Sequence, residues 1–193
     1  MPLLTWTSSR FRECSVTFVL ALASYGAGFG DRVQARIIEF FPLGSVQTIP
    51  TGINASRWIS GYYSDDSGNY RGFLRAPDGR FRNIDVEGAT CGTYAHSINR
   101  SGVVVGNGGY HSGNFCNDHA FISAADGTIT LFDVPGARSR SAISINNGGL
   151  MTGSYADSSN YVHGFLRATD GSFTSFDPPD SIETAPGGIN TGV

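Results

Sequence analysis

The chain has 193 residues, enough for one domain with a sizeable core, and its 26 glycines and 12% aromatic residues suit short strands joined by tight turns. Charged residues make up only 15% of the chain, all 13 cations are arginine and the net charge is −3, which excludes the basic surface of a nucleic-acid-binding protein. We therefore predict an all-β protein without a nucleic-acid partner.

Residues 1–30 predict a signal peptide. Arg10 and Arg12 precede an apolar run from Val16 to Ala23, and small residues follow as far as Gly30. Eight apolar residues are too few for a membrane-spanning helix, which needs about 20. We expect no stable membrane insertion and a secreted, periplasmic or bacterial cell-surface location. The alternative is a buried strand or helix of the first repeat.

Residues 37–193 form a single predicted repeat domain with a unit of about 46 residues. An Ile-Asn pair opens each copy, and its asparagine recurs after 45, 47 and 44 residues. Because the leading and trailing copies are partial, we expect a fragment of a longer repeat protein. The units are 54–98, 99–145 and 146–189, with partial units at 37–53 and 190–193.

Four short strands are predicted in each unit. The second strand closes on a glycine, which we expect to relieve crowding, and the third is centred on a phenylalanine. An Asp-Gly pair then predicts a type I′ hairpin turn, and a further aspartate after the next strand is expected to cap a turn. Four antiparallel strands per unit predict a partial β-propeller with three full blades plus partial ones. The glycines are Gly61, Gly106 and Gly153, the phenylalanines Phe73, Phe121 and Phe165, and the aspartates Asp85, Asp133 and Asp177.

The motifs together resemble the bacterial extracellular HAF repeat. They are Gly-Ile-Asn, Val-Val-Gly, His-Gly-Phe-Leu at 163–166, Asp-Gly-x-Phe-Thr at 170–174 and Phe-Asp-Pro-Pro at 176–179, and the name echoes His-Ala-Phe at 119–121. The resemblance spans roughly residues 37–193 and implies a secreted or surface repeat protein with a propeller-like fold. It implies no activity, cofactor or catalytic residue. Arg71 stands where the first copy would carry the motif's histidine.

Between its asparagine and its Asp-Gly turn the second unit is three residues longer than the others, and the additional residues lie within a segment from Asn107 to Asp118 that we predict to be a loop. Long loops on a rigid scaffold often bind ligands. Histidine, cysteine and carboxylate are also zinc ligands, but their spacing here fits no standard zinc pattern, and we predict no metal site. The predicted binding residues are Tyr110, His111, Cys116, Asp118 and His119.

Three cysteines are present, and Cys14 falls within the predicted signal peptide. This leaves Cys91 and Cys116 as a candidate disulfide in an oxidising compartment. Two buried free thiols are the alternative.

Two segments, 65–69 and 157–160, are rich in side chains with the oxygen ligands that calcium prefers. They lack the EF-hand spacing, and the same residues are typical of solvated turns. We predict no cofactor, with calcium as the alternative.

No catalytic motif is present, so we predict no catalytic residues and a non-enzymatic module that binds a protein or a glycan. Aromatic side chains near the loops are expected to supply stacking surface. The alternatives are a propeller-type polysaccharide hydrolase or lyase using His96, His111 and His119 as acid and base, and a purely structural surface protein. The aromatic residues are Trp58, Tyr62, Tyr63, Tyr70, Tyr110 and Tyr161.

Overall fold

The computed structural model describes residues 17–20, 36–113 and 115–190. The chain divides into two compact units, Met1–Phe41 and Pro42–Val193. In the first unit, strand β1 (Thr17–Leu20) pairs antiparallel with β2 (Arg36–Glu39). The rest of the predicted signal peptide lies outside the described residues, so that interpretation stays a prediction. No helix in the described part of the chain is long and apolar enough to cross a membrane.

The second unit is all-β and consists of three four-stranded antiparallel sheets in tandem, as the repeat predicts. Each sheet is one blade of a partial propeller, with its strands in chain order. Blade 1 comprises β3 (Ser45–Ile53), β4 (Ile59–Asp65), β5 (Tyr70–Arg75) and β6 (Phe81–Ile84). Blade 2 comprises β7 (Gly92–Ile98), β8 (Val104–Ser112), β9 (Phe115–Ser123) and β10 (Ile129–Phe132). Blade 3 comprises β11 (Ser139–Ile145), β12 (Met151–Ala156), β13 (Val162–Arg167) and β14 (Phe173–Phe176).

Blades and sequence units are offset by one strand. The last strand of unit 54–98 is β7, which pairs with β8 of the following unit and so opens the next blade. The connection from residue 85 to residue 91, after β6, therefore crosses from one sheet to the next. Each unit thus contributes three strands to one blade and one strand to its neighbour, which links adjacent blades along the chain.

Two apolar clusters between the blades form the core. The cluster between blades 1 and 2 includes Leu74, Ile84 and Val104, and the cluster between blades 2 and 3 includes Val105 and Phe132. A single four-stranded sheet cannot bury an apolar face alone, so each blade depends on its neighbour.

The recurring glycine faces the recurring phenylalanine inside the same blade. A Cβ built on Gly106 would lie 2.9 Å from the ring of Phe121 and would overlap the carbonyl oxygen of Tyr94 on β7. Phe121 is fully buried. Gly61 with Phe73 and Gly153 with Phe165 repeat the arrangement at 2.7 and 2.8 Å. The predicted crowding is therefore present, and its cause is the aromatic ring of the adjacent strand together with the carbonyl of the preceding one.

The Asp-Gly turns differ from the predicted type I′ geometry. In the first copy Gly79 has a φ of 94° whereas Asp78 has no positive φ, and the Gly79 N–H donates to the Ala76 carbonyl. This is the pattern of a type I turn followed by a glycine bulge. Gly127 and Gly171 repeat this geometry although Ala125 and Thr169 stand at the position of Pro77, so a three-residue loop that ends in glycine forms the turn in every copy.

A ladder of asparagines connects the blades at the end that carries the β3–β4, β7–β8 and β11–β12 turns, which we call the Asn-turn end. The side chain of Asn54 donates to the Asn99 carbonyl at 3.1 Å, Asn99 donates to the Asn146 carbonyl at 3.4 Å, and Asn146 donates to the Asn190 carbonyl at 2.9 Å. Each side-chain oxygen also accepts a backbone N–H of its own turn, for example from Val103 at 3.0 Å. The asparagines therefore form the turns and also connect neighbouring blades.

Candidate functional site

At the opposite end of the blades, equivalent positions carry different side chains in the three copies. We call this the Asp-loop end, because the β4–β5 and β12–β13 loops there begin with Asp65 and Asp157. Repeated residues build the scaffold, so positions that differ between copies are the ones free to serve a single site. Equivalent positions are Ile49, Tyr94 and Ser141 on the first strands, Tyr62, Asn107 and Ser154 on the second, and Tyr70, Asp118 and Val162 on the third.

Asn107 is the hub of a group of these side chains, which we call the Asn107 cluster: Tyr62, Tyr70, Tyr94, His96, Asn107, Asp118 and Ser141. Asn107 is buried on β8, and its Oδ1 accepts from His96 Nε2 at 2.6 Å and from Ser141 Oγ at 3.0 Å. Its amide also bonds to the Asp118 carboxylate. The cluster therefore joins blade 2 to blade 3 through polar contacts.

Three tyrosines extend the cluster onto blade 1. The Tyr62 ring meets the Tyr94 ring edge to face at a centroid distance of 5.1 Å, and Tyr70 lies 5.3 Å from Tyr94. The His96 ring lies 6.4 Å from Tyr62. All three tyrosines are half-buried, so each presents part of its ring to solvent. The result is an aromatic surface that continues directly into hydrogen-bonding groups.

Burial governs the ionisation of the polar members. It raises the pKa of Asp118, against the opposing effects of the Asn107 hydrogen bond and the nearby His96 and His119. It lowers the pKa of His96, against the hydrogen bond to Asn107. The pKa of Tyr94 is raised by burial and then by Tyr70 and Asp118. A neutral His96 donating from Nε2 is consistent with the role of Asn107 Oδ1 as acceptor.

The segment predicted to be a loop is instead an extended hairpin. β8 and β9 pair without interruption from Val104–Ser123 to Ser112–Phe115, which accounts for the additional length of the second copy. Cys116 of β9 and Cys91, just before β7, are joined by a disulfide with a Cα–Cα distance of 6.1 Å. The bond passes over Gly109 of β8, where a Cβ would lie 2.8 Å from the Cβ of Cys91.

Tyr110 and His111 lie beside the disulfide and outside the Asn107 cluster. The Tyr110 hydroxyl donates to the Glu87 carbonyl at 3.1 Å, and the backbone N–H of the exposed His111 donates to Thr90 Oγ1. His111 and the two cysteines have metal-ligand atoms within 4.8 Å of one another. Both sulfurs are engaged in the disulfide, so no thiolate is available as a ligand in this state.

His119 belongs to another recurring arrangement. Its Nδ1 lies 3.2 Å from Asp133 Oδ1, fourteen residues on, and the His163 and Arg71 side chains contact Asp177 and Asp85 in the same way at 2.8 and 3.5 Å. These aspartates were predicted to cap turns, but in the structure each of them pairs with a side chain of the third strand. The third strand supplies a cation or imidazole, which sequence spacing alone did not indicate.

At the junction of blades 2 and 3 a buried arginine joins this pair. Arg140 donates to Asp133 Oδ1 at 2.5 Å, its second nitrogen donates to the Ala137 carbonyl, and His119 Nδ1 lies 3.2 Å away. Burial, the largest single effect, would raise the pKa of Asp133, but the hydrogen bonds and charges of Arg140 and His119 together outweigh it and the pKa is lowered. The equivalent positions carry Thr48 and Thr93.

The two loops considered for calcium contain the same turn. Asp65 Oδ1 accepts the N–H groups of Ser67 and Asn69 at 3.0 and 2.9 Å, and Asp157 Oδ1 accepts those of Ser159 and Tyr161. These oxygens are thus engaged in forming the loops.

Two adjoining cavities open onto the Asn107 cluster. One, of about 190 Å³ at the junction of blades 2 and 3, shares Asp118 with a larger one of about 310 Å³. The larger is lined by Cys91, Tyr94, His96, Asn107, Cys116 and Asp118. A further hollow of about 620 Å³ includes Tyr70 and Tyr94. The two larger volumes are in the range of small-molecule sites.

Of the predicted binding residues, the structure brings only Asp118 into the cluster and places Cys116 on the wall of its cavity. Tyr63, expected to be exposed, is buried at 6%. Sequence reasoning missed Asn107, Tyr94 and Ser141 as site residues. A position-by-position comparison of the strands, rather than of loop lengths, would have singled them out.

No family model matches the chain, and no curated protein sequence matches it. Among solved structures, a streptogramin B lyase structure is similar at 14% sequence identity with a TM-score of 0.38. The alignment covers 75% of this chain and 59% of the lyase chain, so this chain spans less than two thirds of that protein's length.

Proposed function

We propose that the Asn107 cluster is the binding site of a non-enzymatic, glycan-binding propeller and that its ligand is a neutral oligosaccharide. The observation that carries the proposal is the continuity of a tyrosine surface with a hydrogen-bonding group, built from residues in which the copies differ. Sugar rings present apolar faces that stack on aromatic rings and hydroxyls that need both donors and acceptors.

The charge of the cluster favours a neutral ligand. Among its described members Asp118 is the single acid, and burial favours its protonated form. The cluster contains no arginine, and the pKa of His96 is lowered. Arg140 and Arg71 line the adjoining cavities, but each is already paired with an aspartate, so an anionic sugar would meet no unpaired cation here among the described residues.

The ionisable side chains of the Asn107 cluster also favour binding over hydrolysis. Glycosidases generally use two carboxyl groups that flank the scissile bond. The described members of the cluster contain only one, and His96 is held by Asn107 at 2.6 Å.

The proposed setting is outside the cytoplasm, in a protein of the HAF-repeat type. A disulfide persists in oxidising compartments, which supports secretion. The proposed family is supported by the roles of its motif residues: Phe121 and Phe165 are fully buried, and His119 and His163 contact the aspartates that follow.

The test is calorimetric titration with neutral oligosaccharides built from glucose, mannose, galactose or N-acetylglucosamine. We expect one series to bind, and Tyr94→Ala to weaken its binding about tenfold through loss of the stacking surface. Asp118→Asn, which preserves shape, is expected to alter affinity without unfolding the chain.

Tyr161→Ala is the matched control, since Tyr161 is 56% exposed and outside the cluster. Its affinity should equal that of the parent. Failure of every neutral series to bind at millimolar concentration would reject the proposal. Release of new reducing ends during the titration would replace it with the hydrolase or lyase alternative.

A further inference from the structure

A separate pocket lies at the Asn-turn end, on the opposite side of the blades from the Asn107 cluster. It has a volume of about 190 Å³ and lies between blades 1 and 2. Blade 1 contributes Asn54, Ser56, Trp58, Leu74 and Arg82, and blade 2 contributes Arg100, Ser101, Gly102 and Ala125. We call it the Arg82 pocket.

Arg82 is left with an unused donor in this pocket. It pairs with Leu74 across β5 and β6. Its Nη2 is buried and has no hydrogen-bond partner among the described residues. Leaving a buried guanidinium nitrogen unpaired is costly, and a ligand oxygen placed here would remove that cost. A carboxylate suits the planar donor set of arginine best.

The neighbouring junction lacks these groups although the scaffold is the same. Where blades 2 and 3 meet, Val103 stands in place of Trp58, Thr130 in place of Arg82 and Asn147 in place of Arg100. Packing of the repeat therefore does not require two arginines and a tryptophan at such a junction. Their presence at one junction only indicates a role specific to that pocket.

We propose that the Arg82 pocket binds the carboxylate of an acidic sugar. Trp58 offers a ring face for the pyranose, Arg82 and Arg100 offer charge-assisted donors, and the Ser56 and Ser101 hydroxyls offer bonds to sugar hydroxyls. This site is independent of the neutral-glycan site, because the two share no residue and lie at opposite ends of the strands.

One acid lies near Arg82. Hydrogen bonds from Thr128, first from its backbone N–H, and then the Arg82 cation lower the pKa of Asp126. The Asp126 Oδ1 accepts the Thr128 N–H at 2.8 Å, and Arg82 Nη2 has no hydrogen-bond partner among the described residues. Asp126 is in the exposed turn, so it weakens the positive field of the pocket without occupying the buried nitrogen.

The test uses calorimetry and tryptophan fluorescence with D-galacturonate as the probe and D-galactose as its neutral counterpart. We expect saturable binding of galacturonate that weakens as salt concentration rises, with galactose at least tenfold weaker. Arg82→Gln and Arg100→Gln should each lower galacturonate affinity about tenfold or more, because each loses charge at nearly constant size.

Arg138→Gln serves as the control, since it makes the same chemical change at an exposed position outside the pocket. Circular dichroism establishes that each variant is folded. Equal binding of the two sugars, or full galacturonate affinity in folded Arg82→Gln, would overturn the proposal. Inorganic phosphate competing as well as galacturonate would also overturn it, because the pocket would then select charge and not a sugar.

Discussion

At the scale of single residues, the repeated glycines are set by steric contact. Gly106 has no room for a Cβ between the Phe121 ring and the Tyr94 carbonyl. We predict that Gly106→Ala lowers the free energy of unfolding by about 1–3 kcal/mol, the usual cost of overpacking a core. Urea unfolding followed by circular dichroism measures this.

Gly187→Ala is the matched control. An added Cβ there meets nothing within 4 Å, so its stability should stay within about 0.5 kcal/mol of the parent. A Gly106→Ala variant as stable as Gly187→Ala would show that the strands separate to admit the methyl group at little cost.

The limits of sequence reasoning are also visible in single residues. The Asp-Gly pairs correctly place three hairpins but not their turn type, because an Asp-Gly pair suits both a two-residue type I′ loop and a three-residue loop that ends in glycine. Asp118 and Cys116 were found because they lie in the longer copy. Asn107 and Ser141 were not, because their 3.0 Å contact joins two blades whose relative placement no local pattern describes.

At the scale of elements, an ionic pair fastens the fourth strand of a blade to the third. In blade 3, His163 Nδ1 lies 2.8 Å from Asp177 Oδ2, and this hydrogen bond, followed by that to Asp157, raises the pKa of His163. A raised pKa means that the folded state binds the proton more tightly. The resulting stability is full below pH 6.5, the ordinary pKa, and is lost as pH rises through the folded-state pKa.

We therefore predict that the melting temperature falls on the alkaline side of this window and that His163→Gln flattens that fall. On the acid side, the pKa of Asp177 is lowered by its hydrogen bonds from Thr184 and then His163, so its contribution is lost as pH drops below 3.8. Thermal unfolding from pH 5 to pH 9 measures the alkaline part.

The chain offers its own control. Blade 1 carries Arg71 at the position of His163, paired with Asp85. His163→Arg should keep the pair charged throughout and hold its melting temperature at pH 8. A parent profile that is level between pH 6 and pH 9 would contradict the assignment of the pair.

Element lengths were partly predictable. Four strands per repeat follow from the spacing of the Ile-Asn, Gly, Phe and Asp-Gly motifs. The extension of β8 and β9 did not follow, because Gly108, Gly109 and the polar residues beyond them lack the alternating apolar pattern of a strand. Cross-strand pairing and the Cys91–Cys116 bond hold this hairpin where apolar alternation is missing.

At the scale of the whole molecule, the asparagine ladder couples neighbouring blades. Asn99 is buried, with its oxygen on Val103 N–H and its amide nitrogen directed at the Asn146 carbonyl. We predict that Asn99→Ala lowers the free energy of unfolding by about 1–3 kcal/mol, because a buried N–H and a carbonyl lose their partners. Urea unfolding at pH 7 measures the change.

Asn99→Asp tests the contact between blades alone. It keeps the side-chain oxygen that accepts the Val103 N–H and removes the amide N–H that donates to the Asn146 carbonyl. Asn99→Asp should also lower the free energy of unfolding. Asn117→Asp should not, because the Asn117 side chain makes no hydrogen bond with described residues. If Asn99→Asp is as stable as the parent, the ladder does not couple the blades.

The overall architecture was the most predictable level, because near-identical copies must adopt near-identical folds and cover one another. Three tandem four-stranded sheets confirm that expectation. The candidate site was less predictable for the same reason: it uses positions that the repeat leaves unconstrained.

The disulfide over Gly109 has a consequence for recognition. It anchors the long β8–β9 hairpin to the start of β7, so we expect the wall of the cavity beside Asp118 to be ordered before any ligand arrives. The conformational entropy of that wall is lost during folding and not during association. A partner would therefore meet a preorganised surface, with fast docking and little induced fit.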